Sequence, residues 1–235
     1  KGTDNDNRVG PKRTIQSGEI SPKEMKTGII VFVILSLISG IWLILESLGS
    51  NWYIGLLFLV IGFLAIAAAI KYTVGSKAYG YSGMGDIMVF LFFGPVAVIG
   101  VLYLLAGHIS LIFFLPAFSM GLLSTGVLNL NNIRDMKNDA ESGKHTMALK
   151  LGNKTAKRYH ILLVIIALLF AIAFTILNFS SAWQFIYLIT YPVFLKDLIS
   201  IIKIKENYAL DPFLKKLALS TLIFTLLFGL GLIIS

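Results

Sequence analysis

Seven apolar runs fill most of this 235-residue sequence: Thr27–Leu48, Trp52–Ile70, Ile87–Gly107, Ser110–Leu130, Tyr159–Leu177, Ala182–Ile202 and Lys216–Ile234. Each is close to the roughly 20 residues that a helix needs to cross a hydrocarbon core about 30 Å thick. Inside lipid every backbone N–H and C=O must find a partner within the protein, so such runs fold as helices. Composition agrees, with 57% hydrophobic and only 14% charged residues, against about a quarter charged in a soluble domain. Too little polar surface remains to cover a globule in water, which excludes a soluble enzyme, a disordered chain and a fibre. The sequence predicts an all-α, polytopic membrane bundle, a single domain over 1–235. No cysteine is present, so disulfides, thiolate metal sites and thiol catalysis are excluded.

The connections alternate between long and short. Lys1–Lys26, Lys71–Asp86, Asn131–Arg158 and the stretch around Lys203–Lys215 are long and polar, whereas Gly49–Asn51, His108–Ile109 and Asn178–Ser181 are brief. All 20 lysines and arginines fall at the long segments or their borders. By the positive-inside rule the long loops face the cytoplasm and the C-terminus lies outside, as expected in a bacterial cytoplasmic membrane. That orientation is the reverse of a seven-helix receptor. It also accounts for the net charge of +8 without nucleic acid as a partner. The chain opens on a polar loop at Lys1 with no signal peptide, so an even number of upstream helices is expected to be missing.

Two of the long loops carry chemistry. In Asn131-Asn132-Ile133-Arg134-Asp135-Met136-Lys137-Asn138-Asp139, continued helix would place Asn131, Asp135 and Asp139 on one face. Carboxylates and an amide oxygen in such a stripe are hard ligands for Mg²⁺, which takes one or two protein carboxylates and completes its shell with water and phosphate. Arg134 and Lys144 beside them suit an anionic phosphate group. The same spacing serves a solvated loop with local ion pairs equally well. An EF-hand does not fit, because the acids and the glycine miss the calcium-loop positions. The first loop mixes Asp4 and Asp6 with Arg8, Lys12 and Arg13, and a third carries Tyr72, Lys77, Tyr79 and Tyr81. Three such loops at one surface point to one converging polar site.

At these residues the chain resembles the UbiA superfamily of membrane prenyltransferases, and within it the branch that prenylates 1,4-dihydroxy-2-naphthoate. Asn131-Asn132-Ile133-Arg134-Asp135, then Asp139, Gly143-Lys144, Thr146 and Ala148, resemble that branch's second aspartate motif. Gly2-Thr3-Asp4 and Arg8 to Arg13 resemble the end of its first, while Gly83-Met84-Gly85-Asp86 and Phe92-Phe93-Gly94 resemble its middle region. The early acids of the first motif are absent, Asp86 stands where a glutamate is usual, and Met147 where leucine is usual. The resemblance implies nine helices in the complete fold, two of them upstream. It implies transfer of a polyprenyl group from its diphosphate to an aromatic quinone precursor, with loss of carbon dioxide. It further implies Mg²⁺ on Asp4, Asp135 and Asp139, with Asn131 and Asn132 in the catalytic motif. Arg8, Lys12, Arg13, Arg134 and Lys144 would bind the diphosphate, and Tyr72 and Tyr81 would face the allylic cation. Rival readings are a related enzyme for 4-hydroxybenzoate or homogentisate, an inactive fragment, and a transporter. A transporter would carry ionisable groups near the bilayer midplane, where these runs have almost none.

Other residues read as structural. Asp211-Pro212 suits an N-cap and first-turn proline. Pro95, Pro116 and Pro192 suit kinks, His160 an inner helix start, His145 a solvent-facing loop, and Trp42, Trp52 and Trp183 the outer aromatic belt.

Overall fold

The computed structural model describes residues 14–15, 17–49, 51–73, 75 and 78–235. Asp4, Arg8, Lys12, Arg13 and Lys77 lie outside the described residues. Seven helices are long and apolar enough to cross a membrane: α1 (Pro22–Leu48), α2 (Trp52–Thr73), α3 (Gly85–Ala106), α4 (Leu111–Arg134), α7 (Asn153–Leu177), α8 (Ala182–Lys203) and α9 (Asn207–Ile233). Two short helices, α5 (Met136–Glu141) and α6 (Met147–Leu151), lie between α4 and α7. The chain is an all-α integral membrane protein.

The helices match the seven apolar runs in number and order but overrun them at their polar ends. α7 begins at Asn153 and α4 continues to Arg134. Hydropathy marks only the part of a helix suited to hydrocarbon, while capping and backbone pairing set its ends. α1 shows the point. It starts at Pro22, where the Ser21 hydroxyl accepts from the Glu24 N–H at 3.2 Å and the Glu24 carboxylate accepts from the Ser21 N–H at 2.8 Å, a capping box ahead of the apolar run.

Burial rises from the periphery inward. α1 has no buried residue, whereas α4 buries one side chain after another against α7, its most extensive partner. The core joins Leu123, Leu130 and Ile133 of α4 to Val164 and Leu168 of α7, with Tyr187, Phe194 and Phe224 from α8 and α9. α3 and α4 meet backbone to backbone. A Cβ on Gly94 would lie 2.6 Å from the Ala117 carbonyl oxygen, and one on Gly121 would lie 2.6 Å from that of Phe90. Without a hydrophobic drive between helices in lipid, close approach through small residues supplies the packing.

The three intramembrane prolines behave differently from one another. Pro95 lies in a π-helical turn, Phe92–Val96, inside α3, and this widening is the expected distortion. Pro116 falls in the first turn of the α-helical part of α4, which starts at Phe114, where no N–H is needed. Pro192 marks a change of winding, since Ala182–Thr190 is a 3₁₀-helix and Tyr191–Lys203 is α-helical. At 3.0 residues per turn, side chains three apart eclipse. Gln184, Tyr187 and Thr190 accordingly form one buried row, and Trp183 and Ile189 face outward. The row is anchored at its first two members: the Ser180 N–H donates to Gln184 Oε1 at 2.9 Å, and the Tyr187 and Thr175 hydroxyls pair at 2.9 Å. Two structural readings are corrected. His160 is two turns inside α7 and fully buried, and Asp211 is the first residue of the α-helical part of α9 and makes no cap. His145 is exposed, as expected.

Candidate functional site

The second motif winds as its spacing predicts. The Asp135 N–H donates to the Asn131 carbonyl at 3.0 Å and the Asp139 N–H to the Asp135 carbonyl at 2.8 Å. Asn131, Asp135 and Asp139 therefore sit on successive turns, although Asp135 (φ −90°, ψ 6°) is the joint between α4 and α5. Arg134 holds the joint. Its Nε and Nη2 each donate to one oxygen of Asp135 at 2.8 Å, Nη2 also reaches Asn131 Oδ1 at 2.9 Å, and Nη1 reaches Asp211 Oδ1 at 2.6 Å. The Arg134 side chain is 2% exposed, so this is a charge buried only because its donors are met. Asp211 thus ties the start of the last span to the motif, a role that a reading as a helix cap overlooks.

The loop through Tyr81 packs onto the same segment. The Lys144 ammonium donates to Asp139 Oδ1 at 2.8 Å and stands 5.3 Å from the centre of the Tyr81 ring. The two loops are joined by the His145 N–H on the Tyr81 carbonyl and by Lys150 Nζ on the Ser82 carbonyl, both at 2.7 Å. Tyr72 meets Tyr79 edge to face at 5.5 Å. Gly80 approaches so closely that a Cβ there would be 2.6 Å from the Tyr72 carbonyl oxygen. The Tyr79 hydroxyl donates to the Ala68 carbonyl at 2.7 Å, and burial pushes its pKa up, so it stays protonated. Asn132 is buried on α4.

The structure thus brings Tyr81, Lys144 and Asp139 into direct contact, and Arg134, Asn131 and Asp135 likewise. The first-loop residues lie outside the described residues. Sequence reasoning missed Asp86 and Tyr159 as neighbours. Asp86, in the first turn of α3, is buried, and Tyr159 of α7 stands near its carboxylate. Only its acidic character within a glycine-rich segment hinted at it.

The oxygen donors fit a hard divalent cation in kind. Asp135 and Asp139 are one turn apart, and Asn138 Oδ1 on the same segment is buried with no hydrogen-bond partner among the described residues. Among the described residues no three His, Cys, Asp or Glu side chains come together as a metal cluster. What the motif could offer a cation is two carboxylates, already held by Arg134 and Lys144, and an orphaned amide oxygen.

Comparison with known proteins gives the family. The sequence profile of the UbiA prenyltransferase family matches residues 2–222. The 1,4-dihydroxy-2-naphthoate octaprenyltransferase of Haemophilus influenzae is 40% identical over 237 residues, covering 100% of this chain and 76% of its own length. The protein of that name in Escherichia coli is 39% identical, covering 100% and 76%. The one in Mycobacterium tuberculosis is 34% identical, covering 96% and 74%. No solved structure matches the chain.

Proposed function

The chain belongs to the UbiA prenyltransferase family, and on that premise we propose that it transfers a polyprenyl group from polyprenyl diphosphate to 1,4-dihydroxy-2-naphthoate. Carbon dioxide is lost and demethylmenaquinone results, as a step of menaquinone biosynthesis. The observation that carries this reading is the junction of a charged cluster with an apolar groove. From Asn131 a groove of about 450 Å³ runs between α3, α4 and α9, along Leu128, Val89, Phe93, Leu214 and Thr221. A prenyl diphosphate needs both surfaces, a polar end for its head and a greasy one for its tail.

The residues divide the work. Arg134 and Lys144 oppose the charge that grows on the departing diphosphate, joined by Arg8, Lys12 and Arg13 of the first loop. Tyr72 and Tyr81 present ring faces to the allylic cation. Asn131 and Asn132 orient the motif. Asp135 and Asp139, with Asp4, would hold Mg²⁺, which when bound neutralises diphosphate charge. The protein sits in the bacterial cytoplasmic membrane with these loops on the cytoplasmic side, and the bilayer receives the prenylated product.

The test is prenyl transfer in membranes containing the chain, with 1,4-dihydroxy-2-naphthoate or 4-hydroxybenzoate as acceptor and Mg²⁺ or EDTA present. Product from the naphthoate alone, lost with EDTA and in Asp139→Asn, is the expected result. Transfer to the benzoate instead refutes the acceptor, and transfer that persists in EDTA refutes the metal.

A further inference from the structure

Asp86 is 3% exposed, and its Oδ2 is buried with no hydrogen-bond partner among the described residues. A carboxylate oxygen left dry in this way costs on the order of several kcal/mol, so in the working protein something donates to it. Its neighbours do not. The Tyr159 hydroxyl stands near the carboxylate but leaves Oδ2 unmet, and the Thr125 hydroxyl reaches only the Asp86 backbone carbonyl, at 3.4 Å. Among the described residues no cation pairs with it; the Lys144 ammonium is on Asp139. A single carboxylate among tyrosines is a poor metal site, because a divalent cation wants more oxygens. A neutral O–H donor would satisfy Oδ2 without burying a second charge beside it. The ring beside it is Tyr72: its hydroxyl would lie 3.6 Å, and Leu128 Cδ2 3.4 Å, from a Cβ placed on the adjoining Gly85. Tyr72 in turn abuts Tyr79 and Gly80, next to the ring that carries Lys144.

We propose that Asp86 is the carboxylate that receives the aromatic acceptor: Oδ2 accepts the ring hydroxyl next to the carbon that is alkylated. This assignment rests on the function proposed above and deepens it. As that ring carbon bonds to the allylic carbon, the C–O bond to diphosphate breaks and the hydroxyl proton passes to Asp86, leaving a ring ketone beside the substrate carboxylate. Loss of carbon dioxide then puts the electron pair onto the ketone oxygen, which takes the proton back from Asp86. The borrowed proton is returned, and no oxidant or further reactant enters.

The test uses membranes with the chain as it stands. Asp86→Asn should lower kcat about 100-fold or more, the low end of general acid–base effects, with KM for polyprenyl diphosphate unchanged. Asp86→Glu should recover part of the loss. Inhibition by 1-hydroxy-2-naphthoate should weaken about tenfold in Asp86→Asn, in keeping with loss of a charged hydrogen bond, while 2-naphthoate, which lacks the hydroxyl, inhibits both proteins alike. A retained donor KM shows that the variant is folded. Wild-type transfer with an unaffected Asp86→Asn, or equal weakening of both inhibitors, overturns this assignment alone. No naphthoate transfer by the wild type overturns the proposed function and this assignment with it.

Discussion

Arg134 and Asp135 offer a sharp energetic test, because their pairing is buried and its alternatives can be counted. Replacing Asp135 by alanine removes two of the four hydrogen bonds that the guanidinium donates and leaves it with Asn131 and Asp211. Asp211 is a weak substitute, since its side chain is 52% exposed and water competes for it. Breaking a buried pair from one side costs about 3–5 kcal/mol, much of it from the stranded charge. At roughly 2–4 °C per kcal/mol for a chain of this size, the midpoint of thermal unfolding in detergent should fall by about 6–20 °C. Asp211→Asn should cost only about 0.2–1 kcal/mol, as exposed pairs do. Arg134→Met combined with Asp135→Ala should recover most of the loss, because neither charge is then left buried. The assay is thermal unfolding of the single and double variants in one detergent, read as a double-mutant cycle. A double variant no more stable than Asp135→Ala, or an Asp211→Asn as damaging as Asp135→Ala, would refute the reasoning.

Two further outcomes are expected. Gly121→Ala should destabilise by about 1–3 kcal/mol, as overpacking does, because its Cβ would meet the fixed Phe90 carbonyl at 2.6 Å; Gly126→Ala, with its nearest contact at 3.6 Å to a Val164 methyl, should be neutral or gain up to about 1 kcal/mol from helix propensity. Thermal unfolding of both variants checks the contrast. Tyr79→Phe should cost about 1 kcal/mol by losing its bond to the Ala68 carbonyl, and loss of amide-exchange protection at the end of α2 would register it.

The seven spans were legible because a bilayer imposes a length and a polarity that composition alone reveals. Their ends were not, since α4 and α7 run on through Asn, Arg and Lys residues that hydropathy assigns to loops. The turn-by-turn stacking of Asn131, Asp135 and Asp139 was legible because it is local, a matter of spacing four. What escaped was pairing between helices far apart in sequence. Asp211 meets Arg134 across 77 residues, and nothing in Asp-Pro distinguishes a cap from an ion-pair partner. Asp86 and Tyr159 likewise come together only when α3 and α7 are packed. The setting of Pro116 was hidden for the opposite reason: it depends on where a helix starts, and that start is a local detail that an apolar run hides.

The winding of α8 has a mechanical consequence. A 3₁₀-helix turns about 120° per residue and rises about 2.0 Å, whereas an α-helix turns about 100° and rises about 1.5 Å. Over the eight steps from Trp183 to Tyr191, rewinding as α would swivel the Trp183 end through about 160° and draw it toward Tyr191 by about 4 Å. The rotation would be about 140° at Gln184 and about 80° at Tyr187, enough to take both out of the buried row, and it would drive Trp183 against α9, where Gly231 already packs so tightly that a Cβ on it would be 2.7 Å from the Trp183 carbonyl. The short anchors at Ser180 and Thr175 act as the pawl that keeps this segment in the longer winding.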